Sequence, residues 1–137
     1  MQRFTELHVW QRSHALVLQL YRATASFPSE ERYGLTSQLR RAALSIPTNI
    51  AEGSKRVSRQ EYAHFLNVAE GSLAETEYLL MVARDLGHLR SEETDSYLHE
   101  LTEIARMLNS LRTKVGSRQA GPARSQLSTL NSRPKQS

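Results

Sequence analysis

Apolar residues recur along most of the chain at intervals of three and four residues, the spacing that places side chains on one face of a helix. The first such stretch covers residues 6–26. Its apolar stripe consists of Leu7, Trp10, Val17, Tyr21 and Thr24, with Leu16 and Leu20 flanking it. Pro28 ends this stretch, because proline disfavours helical geometry in the residue before it. The pattern predicts a first amphipathic helix.

A second helix is predicted over residues 36–54, with Thr36 as its cap. Its inner face consists of Leu39, Ala42, Ala43, Ile46, Ile50 and Gly53. Pro47 falls inside the pattern, where proline costs a helix about 3 kcal/mol. The helix either kinks or stops and restarts there, and the unbroken apolar register favours a kink.

The third helix has the clearest start, since Ser58 and Glu61 have the spacing of a capping box. It is predicted to end at Gly87. One stripe consists of Tyr62, Leu66, Ala69, Leu73, Thr76, Leu80 and Ala83, and a second consists of Phe65, Val68, Ser72, Leu79, Val82 and Leu86. Two adjacent stripes indicate either a homo-oligomer or a central helix that is buried within the monomer.

A fourth helix starts near Ser91 or Thr94 and carries the stripe Leu98, Leu101, Ile104, Ala105, Leu108, Leu111 and Val115. Four amphipathic helices with short loops predict an all-α protein, an antiparallel up-down-up-down four-helix bundle with a kinked second helix. The bundle would occupy residues 1–115. Residues 116–137 contain two leucines and no aromatic residue, and they predict a disordered tail.

Charge is divided unevenly between these two parts. Residues 1–115 contain 14 basic and 14 acidic side chains, so the net charge of +4 lies in the tail, on Arg118, Arg124, Arg133 and Lys135. Such a tail is either a sequence-independent tether for nucleic acid or a solubilising segment without a binding role.

Composition excludes several classes of function. The 137 residues include no cysteine, which excludes disulfides and thiolate sites. The longest apolar run, residues 78–83, is far shorter than the roughly 20 residues that span a bilayer. The N-terminus lacks the apolar stretch of a signal peptide. We therefore expect a cytoplasmic protein without membrane contact.

Motifs for catalysis or cofactor binding are missing from the sequence. Glu61 and His64 form a single Glu-x-x-His pair, whereas a di-metal bundle needs two. Zinc-protease, phosphate-loop and nucleophile-elbow patterns are absent. We expect no enzymatic activity and no cofactor, and the alternative is a catalytic site assembled from scattered residues.

Polar residues cluster around the end of the second helix. The basic members are Arg40, Arg41, Lys55, Arg56 and Arg59. They form either a basic rim that contacts phosphates or a polar seam that pairs with Glu70, Glu75 and Glu77. Since no aromatic residue is interleaved with the cluster, we expect no base stacking there.

Residues 38–53, QLRRAALSIPTNIAEG, closely resemble the signature of the four-helix-bundle proteins encoded in 23S rRNA intervening sequences. Residues 7–10, 27–35 and 61–73 also agree with that family, and the similarity covers about residues 3–115. It implies an up-down-up-down bundle that assembles into rings, with pentamers expected. It assigns structural or subunit-contact roles to Ser45, Pro47, Asn49, Glu52 and Gly53 and implies no catalytic residue.

The same family is similar to accessory proteins of diversity-generating retroelements, which are basic pentamers that bind a reverse transcriptase and nucleic acid. The neutral body of this chain departs from those basic proteins. Two hypotheses follow, a non-enzymatic homo-oligomeric adaptor that holds RNA or a protein partner, and a sequence-independent module that binds RNA or DNA through its basic residues.

Overall fold

The structure, a computed structural model, describes the backbone of residues 3–131 and the side chains of residues 3–116. Within that part there are four α-helices and no strand, which confirms the predicted all-α fold. The helices are α1, His8–Thr24; α2, Leu35–Ser54; α3, Arg59–Asp85; and α4, Ser91–Asn131. Short 3-10 turns at Phe4–Glu6 and Ser29–Glu31 precede α1 and α2.

Each helix packs against two neighbours, so that α1, α2, α3 and α4 form a closed square. The contacts between α2 and α3 show that these two neighbouring helices run in opposite directions. Gly53, near the end of α2, lies against Phe65 near the start of α3, whereas Ser45 in the middle of α2 bonds to Ser72 in the middle of α3. This order is that of an antiparallel pair. We call the end that carries the α2–α3 loop the α2–α3 end, and the other the opposite end.

The core lies on the predicted inner stripes of α2, α3 and α4. On α1 it includes the flanking residues Leu16 and Leu20, whereas Tyr21 of the predicted stripe is 38% exposed. Its fully buried large side chains are Leu16, Leu20, Leu39, Ile46, Ile50, Leu66, Leu80, Leu101, Ile104 and Leu108. The first stripe of α3 is therefore covered by the chain's own helices. Its second stripe is covered only in part, since Leu79 is buried but Val68 and Leu86 remain exposed.

Most predicted helix boundaries agree with the structure, and one predicted cap is wrong. The Ser58 hydroxyl accepts a hydrogen bond from the Glu61 amide at 3.1 Å, which confirms the cap of α3. Gly87 has a φ of 84° and follows the end of α3, as expected. Thr36, however, does not cap α2, because the helix begins one residue earlier and the Thr36 side chain turns into the core.

Helix α2 continues through Pro47 without interruption, so the alternative of a stop and restart is wrong. The Thr48 hydroxyl donates a hydrogen bond to the backbone carbonyl of Leu44, and the side-chain amide of Asn49 donates one to the backbone carbonyl of Ser45. These side-chain bonds lie on the turn where proline interferes with the regular pattern. They supply donors for carbonyls next to the one that Pro47 leaves unpaired.

Helix α4 is longer than predicted. Val115 is the last buried residue that the structure describes, but the helical backbone continues to Asn131. Once a helix has formed, each further residue adds a hydrogen bond without a new nucleation cost, so helix can continue beyond the packed part. Arg118 and Arg124 lie on this continuation, whereas Arg133 and Lys135 lie outside the described residues. The division into a bundle and a disordered tail stays a prediction.

Candidate subunit and nucleic-acid surfaces

Helices α2 and α3 approach each other closely at Gly53, one of the predicted structural or subunit-contact residues. A Cβ atom added to Gly53 would lie 2.9 Å from the Phe65 Cβ and 3.0 Å from the Tyr62 Cδ1. Such distances are shorter than carbon atoms tolerate, so the approach of the two helices depends on a glycine at this position. Gly53 thus acts within one chain.

A polar network joins the same helices at mid-height. The Ser45 and Ser72 hydroxyls lie 2.7 Å apart, and the Asn49 side-chain amide donates to the Ser45 hydroxyl at 2.9 Å and to its carbonyl at 2.8 Å. All three residues are half-buried. Because a half-buried amide or hydroxyl is costly without partners, this network favours one register between the helices.

The outward side of this seam forms an open groove. Its lining includes Tyr33, Arg41, Leu44, Ser72 and Glu75. Leu44 is 45% exposed and Tyr33 is 88% exposed. Val68 and Leu86 continue the apolar character along α3, on the face that also carries Ser72 and Glu75. We call these four apolar side chains, Tyr33, Leu44, Val68 and Leu86, the α2–α3 face.

The basic residues that cluster in sequence are separated in space. The Arg40 guanidinium donates to the Thr24 hydroxyl at 2.7 Å and to the Tyr21 carbonyl at 3.0 Å. It also lies 4.6 Å from the centre of the Tyr21 ring. Arg40 therefore binds the C-terminal turn of α1. Arg56 is 16 residues further along, about 24 Å away at the rise of a helix.

Lys55, Arg56 and Arg59 remain together at the α2–α3 end, and aromatic rings accompany them. The Lys55 ammonium lies 5.8 Å from the centre of the Phe4 ring, and the Arg56 guanidinium lies 4.8 Å from that of Phe65. The fold thus brings aromatic rings to a cluster that has none interleaved in its sequence, and the expectation of no base stacking stays a prediction. Sequence spacing could not reveal Phe4, because only the fold brings the N-terminal turn to this loop.

Within one chain, none of the predicted acidic partners Glu70, Glu75 and Glu77 forms an ion pair with the basic cluster among the described side chains. Glu52 pairs with Arg56 on the same helix at 3.4 Å. Glu70 instead pairs with Arg112 of α4, and Glu75 lies in the groove with Arg41. Glu77 is exposed and makes no ion pair among the described side chains. The acids of α3 are thus divided between two seams.

Two further titratable groups, Arg12 and Tyr97, lie at the contact between α1 and α4 or on α4 itself. Arg12 donates to both carboxylate oxygens of Glu100, at 2.7 and 2.8 Å. Burial and a hydrogen bond to Glu93 raise the pKa of Tyr97 to about 12. Among the described residues, no three histidine or carboxylate side chains come close enough to hold a metal ion, and His64 is exposed.

Charge is polarised along the bundle. If α1, α2 and α3 are divided at their midpoints and the packed part of α4, residues 91–115, is divided at residue 103, the half at the α2–α3 end contains residues 3–16, 45–72 and 103–115. This half has eight basic and five acidic side chains. The half at the opposite end contains residues 17–44 and 73–102, with six basic and nine acidic side chains. The neutral body thus consists of a half of charge +3 and a half of charge −3.

Comparison with known proteins decides the family. The model of the 23S rRNA-intervening sequence protein family matches residues 5–110. The chain belongs to this family. Among solved structures, this family member is similar to a protein of unknown function from the S23 ribosomal protein family of Bacteroides thetaiotaomicron. The two share 25% identity with a TM-score of 0.71, over 77% of this chain and 95% of that one. No curated protein sequence matches significantly.

These findings agree with the resemblance in the sequence, and they indicate no enzyme family. The matched segment contains the whole α2–α3 seam and ends shortly before Val115. In the described part of this family member, no helix is long and apolar enough to cross a membrane.

Proposed function

We propose that the protein is a non-enzymatic, homo-oligomeric adaptor whose subunits contact one another through the α2–α3 face. The observation that carries this proposal is the exposure of Leu44, Val68 and Leu86, at 45%, 39% and 58%, on one side of two helices whose inner sides are packed in the core. Burial of apolar surface contributes about 25 cal/mol per Å² to an assembly, and the entropic costs of association are subtracted from this contribution. A neighbouring copy would cover these side chains.

The number of subunits is proposed from the resemblance, which implies a pentameric ring. A ring presents the same surface several times, and this multivalency can raise avidity by 10²–10⁴ without a new contact. Such a cytoplasmic adaptor would hold RNA or a protein partner, of which a reverse transcriptase is the example that the resemblance implies. The absence of catalytic motifs from the sequence is consistent with this role.

Substitutions of two leucines with similar exposure test the subunit contact. Leu44 lies on the α2–α3 face, whereas Leu18, at 41% exposure, lies on α1. Leu44→Glu is expected to lower the mass in sedimentation velocity, because it places a charge in an apolar interface. Leu18→Glu should leave the mass unchanged. If both variants keep the wild-type mass, the α2–α3 face is not the interface.

A second candidate function is binding of nucleic acid through Arg40, Arg41, Lys55, Arg56, Arg59 and the four basic residues of the tail. The observation that favours it is the net charge of +3 on the half that carries the α2–α3 loop. Arg40 contributes least, because its guanidinium already binds α1.

The tail's part in this function is tested by replacing Arg118, Arg124, Arg133 and Lys135 with Gln in the full chain. If the tail is the tether, affinity for RNA or DNA falls and depends less steeply on salt, because each phosphate contact contributes about 0.7–0.9 to the slope. If affinity is unchanged, the loop residues are the better site. If wild type does not bind at low salt, this second function is wrong.

A further inference from the structure

The α2–α3 end combines three features that no other described part of the chain shows together. It carries the net positive half of the body, it presents Lys55, Arg56 and Arg59 on one short loop and the helix start that follows, and it places aromatic rings beside two of these cations. We infer that this end binds single-stranded nucleic acid, with the loop cations on phosphates and the Arg56 guanidinium plane stacked on a base. The inference rests on the second proposed function and specifies its ligand and location.

Electrostatics decides which end a polyanion approaches. The body has no net charge, so a uniform distribution would give no attraction. The separation into halves of +3 and −3 instead directs a polyanion to one end and repels it from the other. Since the Debye length is about 8 Å at physiological salt, the local charge of an end matters more than the total.

The continuation of α4 adds basic residues to the same end of the bundle. Because α4 runs antiparallel to α1, its backbone beyond Val115 leaves the bundle next to the start of α1, where the α2–α3 loop also lies. The tail holds four basic and no acidic residues. The tail therefore starts from the positive end.

The arrangement of Arg56 favours a base over a simple counter-ion. Its guanidinium lies 4.8 Å from the centre of the Phe65 ring, and 43% of its side chain is exposed. The ring restrains the guanidinium, and the exposed part remains accessible to a ligand. Arginine planes stack on unpaired bases, and such stacking tolerates any sequence.

The shape of this end favours a single strand over a duplex. The α2–α3 connection consists of only four residues, 55–58, and the first turn of α3 follows it directly. The connection itself is too short to form a helix or a β-ribbon of the kind that enters the major groove. Bases in a duplex are stacked on each other and leave no face for Arg56, whereas a single strand exposes them.

The test compares a labelled 15-nucleotide single-stranded RNA with the duplex of the same sequence, by fluorescence anisotropy with the full chain between 50 and 200 mM salt. We expect tighter binding of the single strand. Arg56→Ala with Arg59→Ala is expected to weaken it by about tenfold or more. The salt slope should fall by about 0.7 for each contacting chain, because Arg59 is the phosphate contact that is lost and a single-strand phosphate contributes about 0.7.

The matched control removes two cations from the opposite end. Arg22 and Arg90 are exposed and make no ion pair among the described side chains, so Arg22→Ala with Arg90→Ala lowers the net charge equally. This control should bind as wild type or slightly better. Equal weakening by both double variants would overturn the location at the α2–α3 end.

Arg56→Lys separates stacking from charge. Lysine keeps the positive charge but has no planar guanidinium group to stack on a base. Affinity for the single strand should therefore fall by at least about threefold, while the salt slope stays unchanged. Unchanged affinity would overturn the stacking contact.

For the wild-type chain, equal affinity for single strand and duplex would overturn the inference but leave the second proposed function standing. If neither RNA binds at 50 mM salt, both are overturned.

Discussion

Replacement of Gly53 by alanine tests the α2–α3 seam, because two effects of opposite sign compete there. Within a helix, alanine is favoured over glycine by about 1 kcal/mol. At Gly53, however, the new Cβ would lie 2.9 Å from the Phe65 Cβ and 3.3 Å from the Tyr62 carbonyl oxygen. Neither atom can move by a side-chain rotation, so the helices themselves must separate.

Overpacking of this kind costs typically 1–3 kcal/mol, which exceeds the gain in helix propensity. We expect Gly53→Ala to lower the free energy of unfolding by about 1–2 kcal/mol, and Tm by roughly 2–4 °C for each kcal/mol. Thermal and urea unfolding followed by circular dichroism at one fixed protein concentration measure both quantities. A fixed concentration matters because association changes the apparent stability.

The matched control is Gly71→Ala in α3. Gly71 is exposed, and nothing lies within 4 Å of a Cβ added there. The same substitution should therefore stabilise the protein by about 0.5–1 kcal/mol. If Gly53→Ala also stabilises the protein, the account of a close α2–α3 approach is wrong.

Three further predictions concern single contacts. Ser45→Ala and Asn49→Ala should each cost about 1 kcal/mol, and a double-mutant cycle should show coupling because the two side chains share a hydrogen bond. Arg12→Gln should cost less than about 1 kcal/mol and still less at 1 M salt, since its pair with Glu100 is partly exposed; an equal loss at both salt concentrations would contradict this. The folded-state pKa of Tyr97, about 12, lies above its unfolded value near 10, so its contribution to stability is complete below pH 10 and is lost as pH rises towards 12. In Tyr97→Phe, the part of the decrease in the free energy of unfolding that Tyr97 causes between pH 10 and 12 should disappear. The variant should also lack one tyrosinate absorbance step near pH 12.

The elements of the fold could be predicted from local signals. Ser58 and Gly87 mark the ends of α3 through short-range backbone chemistry, and the stripe from Leu66 to Ala83 has one period throughout. Thr36 failed as a cap because α2 begins at Leu35 and the Thr36 side chain is buried. The helical backbone beyond Val115 has no apolar signal in the sequence, because helix propagation needs none.

The candidate surfaces depended on contacts between distant parts of the chain. Arg40 and Arg56 are close in sequence but lie towards opposite ends of α2, where one binds α1 and the other a ring of α3. The proximity of Phe4 to Lys55 and the division of a neutral body into two charged halves follow from antiparallel packing. The net charge of the sequence cannot reveal this division, because it sums the charges of both halves.

The mass of the native full chain tests the central proposal most directly. Sedimentation equilibrium over a hundredfold range of concentration would measure it against the chain mass of 15.6 kDa. The adaptor proposal predicts a discrete multiple of that mass, fivefold for the expected pentamer, which persists on dilution. A single species of 15.6 kDa at every concentration would contradict it.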